Sequence, residues 1–240
     1  MISPMTAIGW IEQPIPYSIA DDNVVAVVLL VCFVVVAVVL SKSRKFLAQL
    51  LNNFVMNRER ISIFSTSTTS EVNNLFLLIL CTCVLLGICL YALFLHISPE
   101  LVLHVHPRVL LGIYVGTVIL FLLLKWGIYS LLGWTFFGRE QLTLWVESYS
   151  TLIYFSSFFI YVFAMLEIYV PLPLNVLYLL SLVILVAFKI MILYKWFNLF
   201  SVNLYGFFFL ILYFCALEIM PCVLVFAGLC TLNNILIIKF

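Results

Sequence analysis

Residues 24–40 contain no charged, amide or hydroxyl side chain. A run of that length fits few folds. Its backbone satisfies its own hydrogen bonds as an α-helix, and about 20 such residues cross the roughly 30 Å hydrocarbon core of a bilayer. The rest of the chain is of the same kind. It holds 11 basic and 10 acidic residues in 240, or 9% charged, against about 25% in soluble domains. A water-soluble surface cannot be built from so few charges. This excludes a soluble globular enzyme, a disordered tail, and a nucleic-acid binder, which needs a basic patch. The expected fold class is all-α, a polytopic membrane helix bundle in a lipid bilayer, with 1–240 as a single transmembrane domain.

Six spans are expected, at about 24–40, 75–95, 109–129, 148–168, 175–194 and 205–229, the last interrupted by Pro221. Asp21 and Asp22 precede the first span and suit a helix start. That leading segment carries Glu12, Asp21 and Asp22 but no Lys or Arg, so the first span does not read as a cleavable signal peptide. Between the first two spans, Leu47, Leu50, Leu51, Phe54 and Val55 recur at helical spacing opposite Gln49, Asn52 and Asn53. This predicts an amphipathic helix at about 46–55 lying on the membrane surface. Ser98, Pro99 and Glu100 predict the start of a short helix between the second and third spans.

The basic residues orient the bundle. With the N-terminus outside, Lys42, Arg44, Lys45, Arg58, Arg60, Lys125, Arg139, Lys189 and Lys195 all fall inside, and Arg108 and Lys239 fall outside. Trp126, Trp134, Trp145 and Trp196 then lie near the inner boundary, as an aromatic belt does. Six spans return the C-terminus to the outside. The seven cysteines, Cys32, Cys81, Cys83, Cys89, Cys215, Cys222 and Cys230, all lie in apolar runs. They read as small apolar helix residues rather than as a disulfide framework.

Two stretches carry a family resemblance. One is Asn57-Arg58-Glu59-Arg60 with Ser62, Phe64, the Ser/Thr run, Glu71 and Cys81-Thr82-Cys83. The other is Leu212-Tyr213-Phe214-Cys215-Ala216-Leu217-Glu218-Ile219-Met220-Pro221, with Leu232-Asn233-Asn234 and the ending Ile238-Lys239-Phe240. Together they resemble a Bacteroidota family of integral inner-membrane proteins of unknown function, over nearly the whole chain. Cys81 stands where that family's pattern suggests Gln. The resemblance implies an inner-membrane protein of a Gram-negative bacterium, and it implies no reaction.

Glu218 is the sharpest candidate site residue, because a carboxylate inside a span is expensive unless paired, protonated or wet. It can serve a proton or ion path. It can also tie helices together near Pro221, which cannot donate to the carbonyl of Leu217. Lys125 and Lys189 can pair with Glu218 or snorkel to the headgroups. Snorkelling is expected, since their depths differ from that of Glu218 by about two helical turns. Glu167, close to Pro171, is expected at the outer boundary in contact with water.

Arg58, Glu59 and Arg60 are the candidate partner-binding residues, on the one sizeable polar loop. His96, Glu100 and His104 recur every four residues and form a weak metal-like set, broken by Pro99 and Pro107 and read as interfacial; His106 faces elsewhere. Gly112 and Gly116 form a G-x-x-x-G that permits close helix contact, and Ser156 and Ser157 are placed to bond across helices. Walker, metalloprotease, Gly-x-Ser-x-Gly and Asp-rich phosphotransfer motifs are missing from the sequence. No cofactor and no nucleic-acid partner are expected. The expected function is a non-enzymatic structural or accessory subunit of an envelope or protein-export complex, with a membrane-protein partner. A small transporter or channel using Glu218 is the alternative, ahead of a lipid-active membrane enzyme.

Overall fold

Six helices are long and apolar enough to cross a membrane: Asn23–Lys42, Asn73–Ile97, Pro107–Leu131, Ser148–Tyr169, Leu174–Lys195 and Ala216–Ile237. They belong to a computed structural model that describes residues 18–42, 44, 48, 69–136, 139–200 and 215–239. The chain is an all-α polytopic bundle, and no strand occurs among the described residues. A 3-10 turn, Ile19–Asp21, leads into α1 (Asn23–Lys42). Then come α2 (Thr69–Ile97), the short α3 (Leu101–His104), α4 (Pro107–Phe136), α5 (Arg139–Tyr169) and α6 (Leu174–Phe200). A π-helical turn, Cys215–Ile219, passes into α7 (Met220–Lys239). The expected interfacial helix at 46–55, but for Ala48, and the Arg58-Glu59-Arg60 loop lie outside the described residues, as does Tyr213.

Local chemistry sets the ends. The side-chain oxygen of Asp22 accepts from the backbone N–H of Val24 at 2.9 Å, and its carbonyl accepts from Ala26. One orphan donor of α1 is thereby capped. At the other end of the chain, Pro221 is the second residue of α7, directly after the π-helical turn, and has no N–H for the carbonyl one turn back. The expected break at Pro221 is therefore the junction between the π-helical turn and a helix that runs on to Lys239. That helix continues well past the expected end at 229. Asn233, beyond that expected end, is buried inside the bundle.

The core is centred on α2. Leu78, Leu85, Ile88 and Ala92, along one face of α2, are fully buried against α1, α4 and α5. Spans differ sharply in how much of them the bundle covers: 61% for α2 and 50% for α5, but 11% for both α6 and α7. Helices α2 and α4 come close together at Gly87. A Cβ there would stand 2.7 Å from the Val115 Cα and 2.5 Å from its Cγ2. The small residue that lets α2 and α4 meet is thus Gly87. At Gly112 and Gly116 an added Cβ would meet nothing within 4 Å, so the G-x-x-x-G makes no close helix contact among the described residues.

Hydroxyls follow the same logic. Ser156 and Ser157 donate to carbonyls of their own helix, Ile153 and Tyr154, each at 2.7 Å, which corrects the expectation that they bond across helices. Thr82 does reach across, to the Ile153 carbonyl at 3.4 Å, while also donating to Leu78 at 2.8 Å. The six cysteines whose side chains are described are free thiols. Cys81 donates to the Cys32 carbonyl, tying α2 to α1.

Candidate functional site

Where the late turns of α4 and α6 meet the start of the last helix, three charged side chains converge. Lys125 comes from α4, Lys189 from α6, and Glu218 from the π-helical turn before α7. Each ammonium nitrogen lies 2.5 Å from the same carboxylate oxygen, Oε2 of Glu218. The other oxygen, Oε1, accepts from the Tyr129 hydroxyl, one turn along α4 from Lys125. Lys189 also donates to the backbone carbonyl of Glu218 at 2.9 Å. Glu218 is 1% exposed and Lys125 5%, while Lys189 keeps 15%.

This arrangement corrects the expected snorkelling of the two lysines. The depth mismatch that argues against contact comes from centring the last span on 205–229. With α7 continuing to Lys239, the crossing segment shifts toward the C-terminus. Glu218 then sits near the bundle end where α4 and α6 finish. Lys125 and Lys189 lie each about 9 Å of helical rise from the ends of their spans at Leu131 and Lys195.

Local backbone chemistry explains why Glu218 stands where it does. Pro221 has no N–H to offer the carbonyl one turn back, and the helix widens into a π turn at the same place. Lys189 donates to a carbonyl within that turn, the one of Glu218 itself. Around the ions, aromatic faces complete the shell. The Lys125 nitrogen is 5.0 Å from the Tyr149 ring centroid, 5.7 Å from Phe121 and 5.8 Å from Tyr129. A cation held over such faces gains further attraction once desolvated. The rings of Tyr129 and Tyr149 pack together at 5.6 Å, joining α4 to α5.

Sequence reasoning does not find Tyr129 and Tyr149. Tyr129 lies four residues after Lys125 and so shares its helix face, which is the available signal. Nothing in the sequence links Tyr149 to either.

The remaining candidates do not join this cluster. His96 is exposed and its Nδ1 is 2.8 Å from the Ala92 carbonyl of its own helix. Glu100 is exposed. The His104 side chain lies outside the described residues. His106 accepts from the Arg108 N–H at 3.4 Å. Among the described residues no three His, Cys, Asp or Glu side chains gather as metal ligands. Glu167 is the clearest departure from expectation. It is 3% exposed, not solvated, because α5 turns it inward before the chain reaches the Pro171 turn.

A second polar contact lies near the other end of the bundle. The Tyr114 hydroxyl of α4 donates to Oδ1 of Asn233 on α7 at 2.9 Å, with both residues buried. Tyr114 stacks on Phe94 of α2 at 5.5 Å, and Phe94 meets Phe226 of α7 at the same distance. The lightly covered last helix is therefore fastened at two levels. One fastening is ionic, and the other is aromatic with a hydrogen bond.

Residues 25–229 match the model of a protein family described as a domain of unknown function, DUF4271, so the chain belongs to that family. No curated protein and no solved structure matches the chain.

Proposed function

We propose that this member of the DUF4271 family is a non-enzymatic multi-pass subunit of an envelope complex, resident in the inner membrane of a Gram-negative, Bacteroidota-type cell. The observation that carries the reading is the saturation of Glu218. Both carboxylate oxygens and the backbone carbonyl are occupied by donors from α4 and α6. A carboxylate held by two ammonium groups and a phenol acts as a fixed junction between spans. Polar groups that bond across helices in lipid contribute in this way, typically by about 1 kcal/mol each. The lightly covered α6 and α7 are held in place by that junction, and their outward apolar faces are open to a membrane-protein partner. The Arg58-Glu59-Arg60 loop adds a polar surface on the side proposed as cytoplasmic.

A small transporter using Glu218 is the second reading. The π-helical turn at Glu218 favours it, since such turns recur at functional sites. Purification in mild detergent, with identification of co-eluting proteins, tests the choice. A stoichiometric membrane partner supports the subunit reading. A lone monodisperse species, with Glu218→Gln folded but inactive in vesicle uptake, moves the protein to the transporter class.

A further inference from the structure

We infer that Glu167 is a proton-binding site, placed at the end of the bundle opposite the Lys125–Glu218–Lys189 cluster. Glu167 lies two residues before the end of α5 at Tyr169. It is 3% exposed; among the described residues the group that reaches its carboxyl is the buried thiol of Cys89, and no N–H, hydroxyl or cation bonds either oxygen. A carboxylate ion in that setting would have a weak thiol donor and, among the described residues, no counter-charge, and burying such an ion costs far more than burying the acid. The site therefore holds the acid form, with the proton as its ligand.

The described surroundings do not suit a metal. Hard cations need several oxygen ligands. Among the described residues no group of three ligating side chains gathers here or elsewhere. From α2, the facing titratable group is the buried thiol of Cys89. The 3-10 turn before α1, which packs on α5, brings Asp21 and Asp22, and Asp22 is engaged in capping α1. On α5 itself the neighbours are Tyr161 and Tyr169. At the same bundle end, His96, His106 and Arg108 are exposed. None of these makes an ion pair with Glu167.

The route to water is short. Tyr169, Val170 and Pro171 directly after Glu167 are exposed and Tyr169 ends the span, so the carboxyl stands within two residues of the rim of the bundle. The bundle then has two buried acids in opposite states. Glu218 is ionised by two lysines, and Glu167 is neutral and exchangeable. This does not depend on the subunit reading, since either a subunit or a transporter can carry such a group.

Infrared spectroscopy on the full chain in lipid nanodiscs tests it. The wild type at neutral pH is expected to show a carboxylic-acid carbonyl band that shifts on transfer to D2O and is lost in Glu167→Gln. Absence of such a band, or a band that persists in E167Q or fails to shift, overturns the inference. Should E167Q not fold, the wild type decides, by treatment with dicyclohexylcarbodiimide and peptide mass spectrometry. In that reaction the acid proton moves to a carbodiimide nitrogen and the carboxyl oxygen adds to the central carbon. An oxygen-to-nitrogen acyl shift then leaves a stable N-acylurea, with no leaving group. Labelling at Glu167 that falls as pH rises supports the proton site, and an unlabelled or pH-independent Glu167 overturns it. Glu218, paired as a carboxylate, stays unlabelled.

Discussion

Lys125 and Lys189 both place their ammonium nitrogens 2.5 Å from one oxygen of Glu218, so two cations from different spans share a single anion. The group carries one positive charge in excess. Its members hold one another inside the bundle, where each alone would seek the headgroups or lose its charge.

Removing the anion is therefore costly even with shape conserved. Glu218→Gln leaves two buried ammonium groups without a counter-ion and is expected to destabilise by about 3 kcal/mol, the lower range for breaking a buried pair. Replacing all three (Lys125→Met, Lys189→Met, Glu218→Leu) restores most of that loss, since apolar substitution of whole buried ion groups is often neutral or stabilising. Thermal melts of the detergent-solubilised variants check both. A Gln variant as stable as wild type would show that the lysines escape to the interface.

Gly87 is expected to tolerate no side chain. Gly87→Ala drives a Cβ into the Val115 backbone, where only separation of α2 from α4 relieves the clash, at about 1–3 kcal/mol. Gly112→Ala and Gly116→Ala have open space and leave the melting temperature within error of wild type. Equal effects at all three positions would refute the asymmetry.

Tyr114→Phe deletes the donor to Asn233 and keeps the ring on Phe94. The Asn233 Nδ2 already lacks a partner, so the variant strands the whole amide. A loss of about 1 kcal/mol is expected, with Asn233→Leu in the Tyr114→Phe background recovering part of it. A double-mutant cycle on melting temperatures measures the coupling.

Reporter fusions check the proposed orientation. A periplasmic reporter is expected to be silent at Arg60 and active at Arg108, since the basic residues crowd onto one side. Activity at Arg60 would reverse the bundle.

Arg58→Ala with Arg60→Ala is expected to leave insertion unchanged and to weaken co-purification of the partner. Loss of attraction to anionic lipid alone, about 1 kcal/mol per basic residue, would instead lower vesicle binding of the loop peptide and leave the complex intact.

The first five spans are readable from sequence because crossing a membrane is a local matter. A helix meets its backbone hydrogen bonds internally, so length and apolarity suffice. Asp22 as the cap of α1 and the short helix after Pro99 are local for the same reason. The last span is harder to place because the apolar run continues on both sides of Pro221. A proline inside a uniform run does not say whether it breaks a helix or begins one.

Which helices touch is set at longer range. Lys125 meets a carboxylate on the last helix, Gly87 meets Val115, and Tyr114 meets Asn233. Each pairing depends on the rotation and depth of two separate helices in a solvent as apolar as their own side chains. The amino-acid sequence dictated a bundle of spanning helices with a few costly polar residues. Only packing decided that Glu218 would be saturated by two lysines while Glu167, one acid among the same helices, would face a thiol and, among the described residues, no cation. A charge in lipid is stabilised by what stands within a few ångströms of it, and that neighbourhood is assembled from segments far apart in the chain.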